Sequence, residues 1–215
     1  MPLLEKSKIV FIGDSITDTG RKEDRQGIGY GYVRLLHDYL MTEFPNSSPE
    51  IINRGTNGNR ITDLAARWNP DVIDLHPDFV SISIGINDVW RQLDHPEMKQ
   101  VYPDIFHEIY RQLLDLLKSS GAIPILMEPT IIEEDPGSPG NQKLKPYVDI
   151  VRQLAVQYDG FLVPTHQKFI AFLTGNHKEK LTTDGVHMTS LGNMLMAKTW
   201  LQSVLEQQEE CRCSK

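Results

Sequence analysis

Short apolar runs alternate along the chain with longer stretches whose apolar residues recur every three or four positions. The runs "KIVFI" (8–12), "EIINR" (50–54), "FVSISI" (79–84), "IPILM" (123–127) and "GFLVP" (160–164) predict five strands. Between them, "YVRLLHDYLMTEF" (32–44), "ITDLAARW" (61–68), "PDIFHEIYRQLLDLLKSS" (103–120) and "VDIVRQLAVQY" (148–158) predict helices, and "SLGNMLMAKTWLQSVLEQQ" (190–208) predicts a last one. In the 103–120 helix, Ile105, Ile109, Leu113, Leu116 and Leu117 mark the face expected to enter the core.

Strands separated by helices pair in parallel, because each crossover must travel back along the sheet. The predicted fold is therefore an α/β, three-layer α/β/α sandwich on a five-stranded, flavodoxin-like parallel sheet. Residues 1–208 read as one domain and 209–215 as a polar tail without structure. Ligands in such sheets bind beyond the carboxyl ends of the strands, so chemistry is expected just after each apolar run. The Pro/Gly-rich "EEDPGSPGNQ" (133–142) lies on that edge and reads as a mobile loop, a rim over a site.

Composition narrows the partners. The 215 residues are 40% hydrophobic and 24% charged, an ordinary globular balance. Net charge is -7 with no basic run, which opposes nucleic-acid binding, where Lys and Arg must displace counterions. No apolar run approaches the roughly 20 residues that cross a bilayer. "MPLLEKSKIVFIGDS" lacks the apolar core of a signal peptide, so a cytoplasmic location is the expectation. Cys211 and Cys213 sit in the polar "EECRCSK" and suggest reduced thiols rather than a bridge. His37, His76, His95, His107, His166 and His177 show no ligand spacing; His107-Glu108 begins H-E-x-x-H, but position 111 is Arg. No metal and no cofactor are expected.

Four clusters follow the predicted strand ends or precede the last helix: "GDSITDTG" (13–20), "NRGTNGNR" (53–60), "GINDVWRQ" (85–92) and "LTTDGVHMTS" (181–190). Asp184 and His187, three residues apart around Gly185, can share a compact turn that brings the carboxylate to Nδ1 and leaves Nε2 free to take a proton. Ser15, after a glycine and before a helix, reads either as a helix N-cap or as a nucleophile. The G-x-S-x-G elbow of α/β-hydrolases is absent, since the chain reads Gly13-Asp14-Ser15-Ile16-Thr17. An oxyanion hole needs two or three converging donors; the Ser15 amide, a glycine amide of "NRGTNGNR" and the Asn87 side chain are the candidates. Each cluster has a plain alternative: an Asn-Gly turn for "TNGNR", and a strand-to-helix turn capped by Asn87 or Asp88 for "GINDVW".

G-D-S near the start, N-x-G-x-x-G-N, G-x-N-D and D-x-x-H near the end, in this order between residues 13 and 187, resemble the SGNH (GDSL-type) hydrolases. The resemblance implies Ser15 as nucleophile, His187 as general base and acid, and Asp184 as its orienter. It also implies oxyanion donors from the Ser15 amide, Gly58 and Asn87. Counting from Asn53 selects Gly58 over Gly55, which is left to shape the turn. The chain departs from the pattern at Ile16, where many members carry Leu, and at Met188, where many carry Pro.

"FIGDSITDTGR", "DLAARW" and "IGINDVWRQ" are similar to the bacterial acetylxylan esterases of the family. That implies a small ester substrate, an acetylated sugar, with Asp14, Trp90 and Arg91 beside it, and it makes a homo-oligomer an open expectation. A lysophospholipase or thioesterase remains the alternative within the family. Two readings from other classes compete. One is a flavodoxin-like phosphate or FMN carrier using "SITDTG", which leaves Asn87, Asp184 and His187 unused. The other is an aspartyl-phosphate phosphatase on Asp14, which lacks the second acid because that place is Ile16.

Overall fold

The computed structural model describes residues 4–175 and 178–213, with side chains described as far as residue 205. His177, the side chains of Cys211 and Cys213, and residues 214–215 of the expected tail lie outside the described residues.

The strands are β1 (Lys8–Gly13), β2 (Glu50–Gly55), β3 (Phe79–Ser83), β4 (Ile123–Met127) and β5 (Phe161–Val163). They form one parallel sheet in the order β2-β1-β3-β4-β5. The helices are α1 (Ser15–Asp18), α2 (Tyr32–Glu43), α3 (Ile61–Asp71), α4 (Ile86–Asp94), α5 (Pro103–Ser120), α6 (Pro139–Gln157), α7 (Thr165–Leu173) and α8 (Ser190–Cys213). α2 packs on α8 and α8 on α7, while α3, α5 and α6 pack in succession, so helices cover both faces. The three-layer sandwich and its parallel sheet are as the periodicity predicts.

Because β2 and β3 flank β1 on opposite sides, the chain leaves β1 and β3 in opposite directions. This reversal opens a crevice at the carboxyl end of β1. The strands behind it are apolar almost throughout: Ile9, Val10, Phe11 and Ile12 are fully buried, as are Val80 and Ile82. Burial on both faces is what a central parallel strand requires. Two glycines let α1 lie directly on the sheet. A Cβ on Gly13 would stand 2.5 Å from the Thr17 hydroxyl oxygen, and one on Gly55 would stand 2.1 Å from the Asp18 amide. Gly55 therefore serves a close approach at the end of β2 rather than a turn.

Several elements differ from expectation. The buried face of α5 is Phe106, Tyr110, Leu113, Leu114 and Leu117, while Ile105 and Leu116 are exposed. The two aromatic residues turn the buried arc away from the aliphatic stripe; Phe106 stacks edge-on against Tyr110 and Tyr147. α4 and α7 are helices that the periodicity does not predict. α6 begins at Pro139, ahead of the predicted 148, and runs through Pro146. α8 continues past residue 208, the predicted domain end, to Cys213.

The segment that reads as a mobile rim is instead tied down. Asn141 accepts from the Ile132 amide at 2.9 Å and donates to the Glu133 and Asp135 carbonyls. The Glu133 amide donates to the Gly185 carbonyl at 2.8 Å, and Glu134 accepts from the amide and the hydroxyl of Thr182. The segment acts as a strut beneath the loop that carries His187.

Candidate active site

β1 ends at Gly13, and Asp14 caps the short helix that follows: its Oδ1 accepts the Ile16 amide at 2.9 Å. This answers the ambiguity at Ser15. The cap is the neighbouring aspartate, so the Ser15 hydroxyl is not committed to the helix, and Ser15 occupies its first turn. Amides there lack intrahelical acceptors and point outward. Thr17 is buried against the Tyr32 hydroxyl, and the Thr19 hydroxyl donates to the Ile16 carbonyl; both support the turn.

Ser15 Oγ lies 2.9 Å from His187 Nε2, and His187 Nδ1 lies 2.6 Å from Asp184 Oδ2. Asp184 Oδ1 also accepts the amides of Val186 and His187, at 3.0 and 2.8 Å. Gly185, at φ +96, makes this reversal possible. Burial would raise the Asp184 carboxyl, but the hydrogen bonds from the His187 ring and from the two amides outweigh it and hold it below the usual range. An anion at Nδ1 favours the proton on that nitrogen and leaves Nε2 as an acceptor facing Ser15 Oγ.

Gly58 sits in the exposed turn after β2, at φ +75, with nothing within 4 Å of where a Cβ would stand. Asn87, in the first turn of α4, is 3% exposed; one N–H of its amide donates to the Asn59 carbonyl at 3.1 Å, leaving the second for a ligand. Neither Asn87 nor Asp88 caps α4, because Gly85 holds that position. Asp88 reaches instead to α3, where both carboxylate oxygens accept the Ile61 amide at 3.1 and 3.2 Å. Burial pushes the Asp88 carboxyl up to about 8, with Ile61 and Arg60 pulling the other way.

A cleft of about 640 Å³ is lined by Ser15, Gly58, Asn87, Trp90, Arg91 and His187, so the structure gathers these predicted residues around one space. Trp90 meets His187 edge-on at 5.9 Å, and the Arg91 guanidinium lies 5.2 Å from the Trp90 ring centroid. Arg91 also pairs with Asp94, which holds it against the rim.

Asp14, expected beside the substrate, is not in the cleft wall. It is 1% exposed at the N-cap of α1, and burial pushes its carboxyl up to about 6, with the Ile16 amide and His187 pulling it back. The cleft also includes Ile16 and Met188, the two departures from the family pattern, and Thr19, Gly20, Tyr30, Asn57 and Asn193, to which the motifs give no role. Tyr30 is 63% exposed at the mouth, in a loop without periodicity; aromatic character within "GYGY" is its only signal.

Among the described residues, no group of three or more His, Cys, Asp or Glu could hold a metal ion, and no helix is long and apolar enough to cross a membrane.

The model of the GDSL-like lipase/acylhydrolase family matches residues 11–195. An acetylxylan esterase of Geobacillus stearothermophilus is 38% identical over 204 residues, spanning 92% of this chain and 93% of the relative. The crystal structure of the acetylxylan esterase Axe2 of that organism superposes with a TM-score of 0.88 at 37% identity, covering 95% of this chain and 96% of the other. Further structures of that enzyme are of catalytic mutants in which an aspartate, a serine or a histidine is replaced by alanine. LAE5, an alpha/beta hydrolase enzyme from the metagenome of Lake Arreo, Spain, superposes with a TM-score of 0.88 at 34% identity, covering 95% of this chain and 97% of the other.

Proposed function

The chain belongs to the GDSL-like lipase/acylhydrolase family, and from that premise we propose that it is a serine esterase removing acetyl groups from acetylated sugars such as xylo-oligosaccharides. The observation that carries the reading is the continuous relay from Asp184 through His187 to Ser15 Oγ, 2.6 and 2.9 Å at its two links, opening on a cleft.

Ser15 Oγ attacks the ester carbonyl while His187 Nε2 takes its proton, and the carbonyl oxygen becomes an oxyanion. The Ser15 amide, the Gly58 amide and the second N–H of Asn87 are the donors for that oxygen. When the tetrahedral species collapses, His187 returns the proton to the departing sugar hydroxyl and leaves acetyl-Ser15. A water then gives its proton to His187, attacks the acyl carbon, and acetate leaves as Ser15 recovers its proton. Asp184 stays ionised throughout and stabilises the imidazolium. Trp90, stacked beneath Arg91, offers a flat apolar wall beside His187, suited to the acyl methyl or a sugar face.

The acetyl-sugar assignment rests on the acetylxylan esterases to which the chain is similar and on a cleft lined by aromatic and amide side chains. A fluorophosphonate is expected to label Ser15. Ser15→Ala is expected to lose at least ~10³-fold of its 4-nitrophenyl acetate hydrolysis. Rates across acyl lengths, with acetate release from acetylated xylo-oligosaccharide, test the substrate. Undiminished hydrolysis by Ser15→Ala overturns the mechanism, and preference for long acyl chains overturns the substrate.

A further inference from the structure

We infer that Arg67, on α3 and outside the cleft, is a positioning residue that sets the spacing between the two backbone donors of the oxyanion hole. The inference rests on the serine-esterase reading above.

The Ser15 amide follows β1 and the Gly58 amide follows β2. The two strands are in register to their last residues, Gly13 beside Gly55, but the ladder ends there. Beyond it one backbone link continues, from the Thr56 amide to the Gly13 carbonyl at 3.0 Å. The turn bearing Gly58 has no packing of its own at that residue, which is exposed at φ +75 in open space. Its position therefore depends on tethers of its neighbours, among them those of Asn59, the residue after it, and of Arg60.

Arg67 supplies the tether that reaches across both strands. Nε donates to Asn59 Oδ1 at 2.7 Å, Nη1 to the Arg54 carbonyl at 2.8 Å, and Nη2 to the Gly13 carbonyl at 3.0 Å. Asp71 Oδ2, 2.6 Å from Nη1, provides the counter-charge. One planar group thus grips the end of β1, the end of β2 and the turn between Gly58 and α3. The Asn59 carbonyl meanwhile accepts from Asn87, so Arg67 touches the residue through which the side-chain donor is also oriented. A guanidinium presents its donors in a fixed fork; the single ammonium of Lys cannot hold three separated acceptors at once. Oxyanion donors act only when they converge about 3 Å from the developing charge, and a displacement near 1 Å costs on the order of 10²-fold.

Arg67→Met is expected to lower kcat for 4-nitrophenyl acetate by roughly 10- to 100-fold with KM within about twofold, and Arg67→Lys is expected not to restore it. Asn59→Ala, which removes one tether and leaves the rest of the Arg67 network, is expected to give a smaller fall that is not additive with Arg67→Met. The discriminating readout is a methylboronic acid, whose tetrahedral adduct on Ser15 places an oxygen in the hole. Its inhibition constant should rise by the same factor as kcat/KM falls, while acetate binding stays unchanged. Wild-type kcat in folded Arg67→Met overturns the inference, as does a fall in kcat with boronate affinity intact. If Arg67→Met does not fold, Asn59→Ala decides on the same two criteria. Ser15→Ala in parallel separates this outcome from failure of the esterase reading, since an active Ser15→Ala protein would refute that reading alone.

Discussion

Asp184 and His187 meet through residues three apart in one turn, and their side chains are 47% and 41% exposed. Ser15, Gly58 and Asn87 meet through three different strand ends, with Asp14, Asn53 and Asp88 buried around them. On the acid–base side, local hydrogen bonds from consecutive amides make the geometry, and the strut from Glu133 and Glu134 holds the loop as a unit. On the nucleophile side, long-range bonds fix the positions instead. Asn53 donates to the carbonyls of Thr17 and Ile28, Asp88 grips Ile61, and Arg67 spans 54 residues to Gly13. A proton relay tolerates water around it, because its partners touch. An oxyanion hole needs donors that do not touch one another, so the surrounding structure must hold their positions.

Substitutions on the two sides should therefore fail differently. The largest effect is expected from Asp184→Asn, which keeps the turn but favours the wrong tautomer of His187, a loss of roughly 10⁴-fold in kcat. Its pH behaviour sharpens the point. The Asp184 carboxyl is held low, so it stays ionised on mild acidification, and because a general base must be neutral to take the Ser15 proton, kcat/KM is expected to fall as the pH drops. A rate flat from neutral to mildly acidic pH would remove His187 as the base. Next, Asn87→Ala deletes one oxyanion donor and the contact to Asn59, and kcat is expected to drop by about 10²–10³-fold with the shape of the pH profile unchanged. A shifted profile would mean that Asn87 acts on the relay rather than on the oxyanion.

The smallest effect is on stability. Burial raises the Asp14 carboxyl from 3.8 to about 6 in the folded protein. A raised acid binds its proton more tightly when folded, so this contribution to stability is complete below about pH 4 and is lost as the pH rises through about 6. Asp14→Asn keeps an oxygen to accept the Ile16 amide but removes the buried charge. Urea unfolding should show the variant gaining on wild type between about pH 4 and about pH 8, by roughly 2–3 kcal/mol. An unchanged difference between the two proteins across that range would show that the charge is accommodated.

The same contrast explains what can be read in the sequence. Asp184 and His187 are legible because their relation is local: a spacing of three around Gly185 allows them one turn, and the other motifs give that turn its meaning. The strands are legible because burial on both faces demands unbroken apolar runs such as "KIVFI". Ser15 is ambiguous because the capping residue stands one place before it, and a serine and an aspartate in sequence offer the same cap. α4 is hidden because Asn87 and Asp88, facing the site and α3, replace the apolar residues that would mark its first turn. α7 buries only Thr165, His166 and Phe169, too narrow a stripe for its period to stand out. Arg67 in "DLAARW" is illegible as more than a helical residue, since its acceptors lie on three other segments.

Ser15 and His187 are 172 residues apart, and the bond between them joins the end of the first strand to the loop before the last helix. A chain emerging from the ribosome carries its nucleophile early and receives its base almost at the end. The β1, β2 and β3 segments can associate before that, yet no intermediate lacking the docked 181–189 loop contains a base for Ser15. Esterase activity is therefore a report of complete folding, and a refolding chain should recover burial of Trp68, on α3, before it recovers turnover.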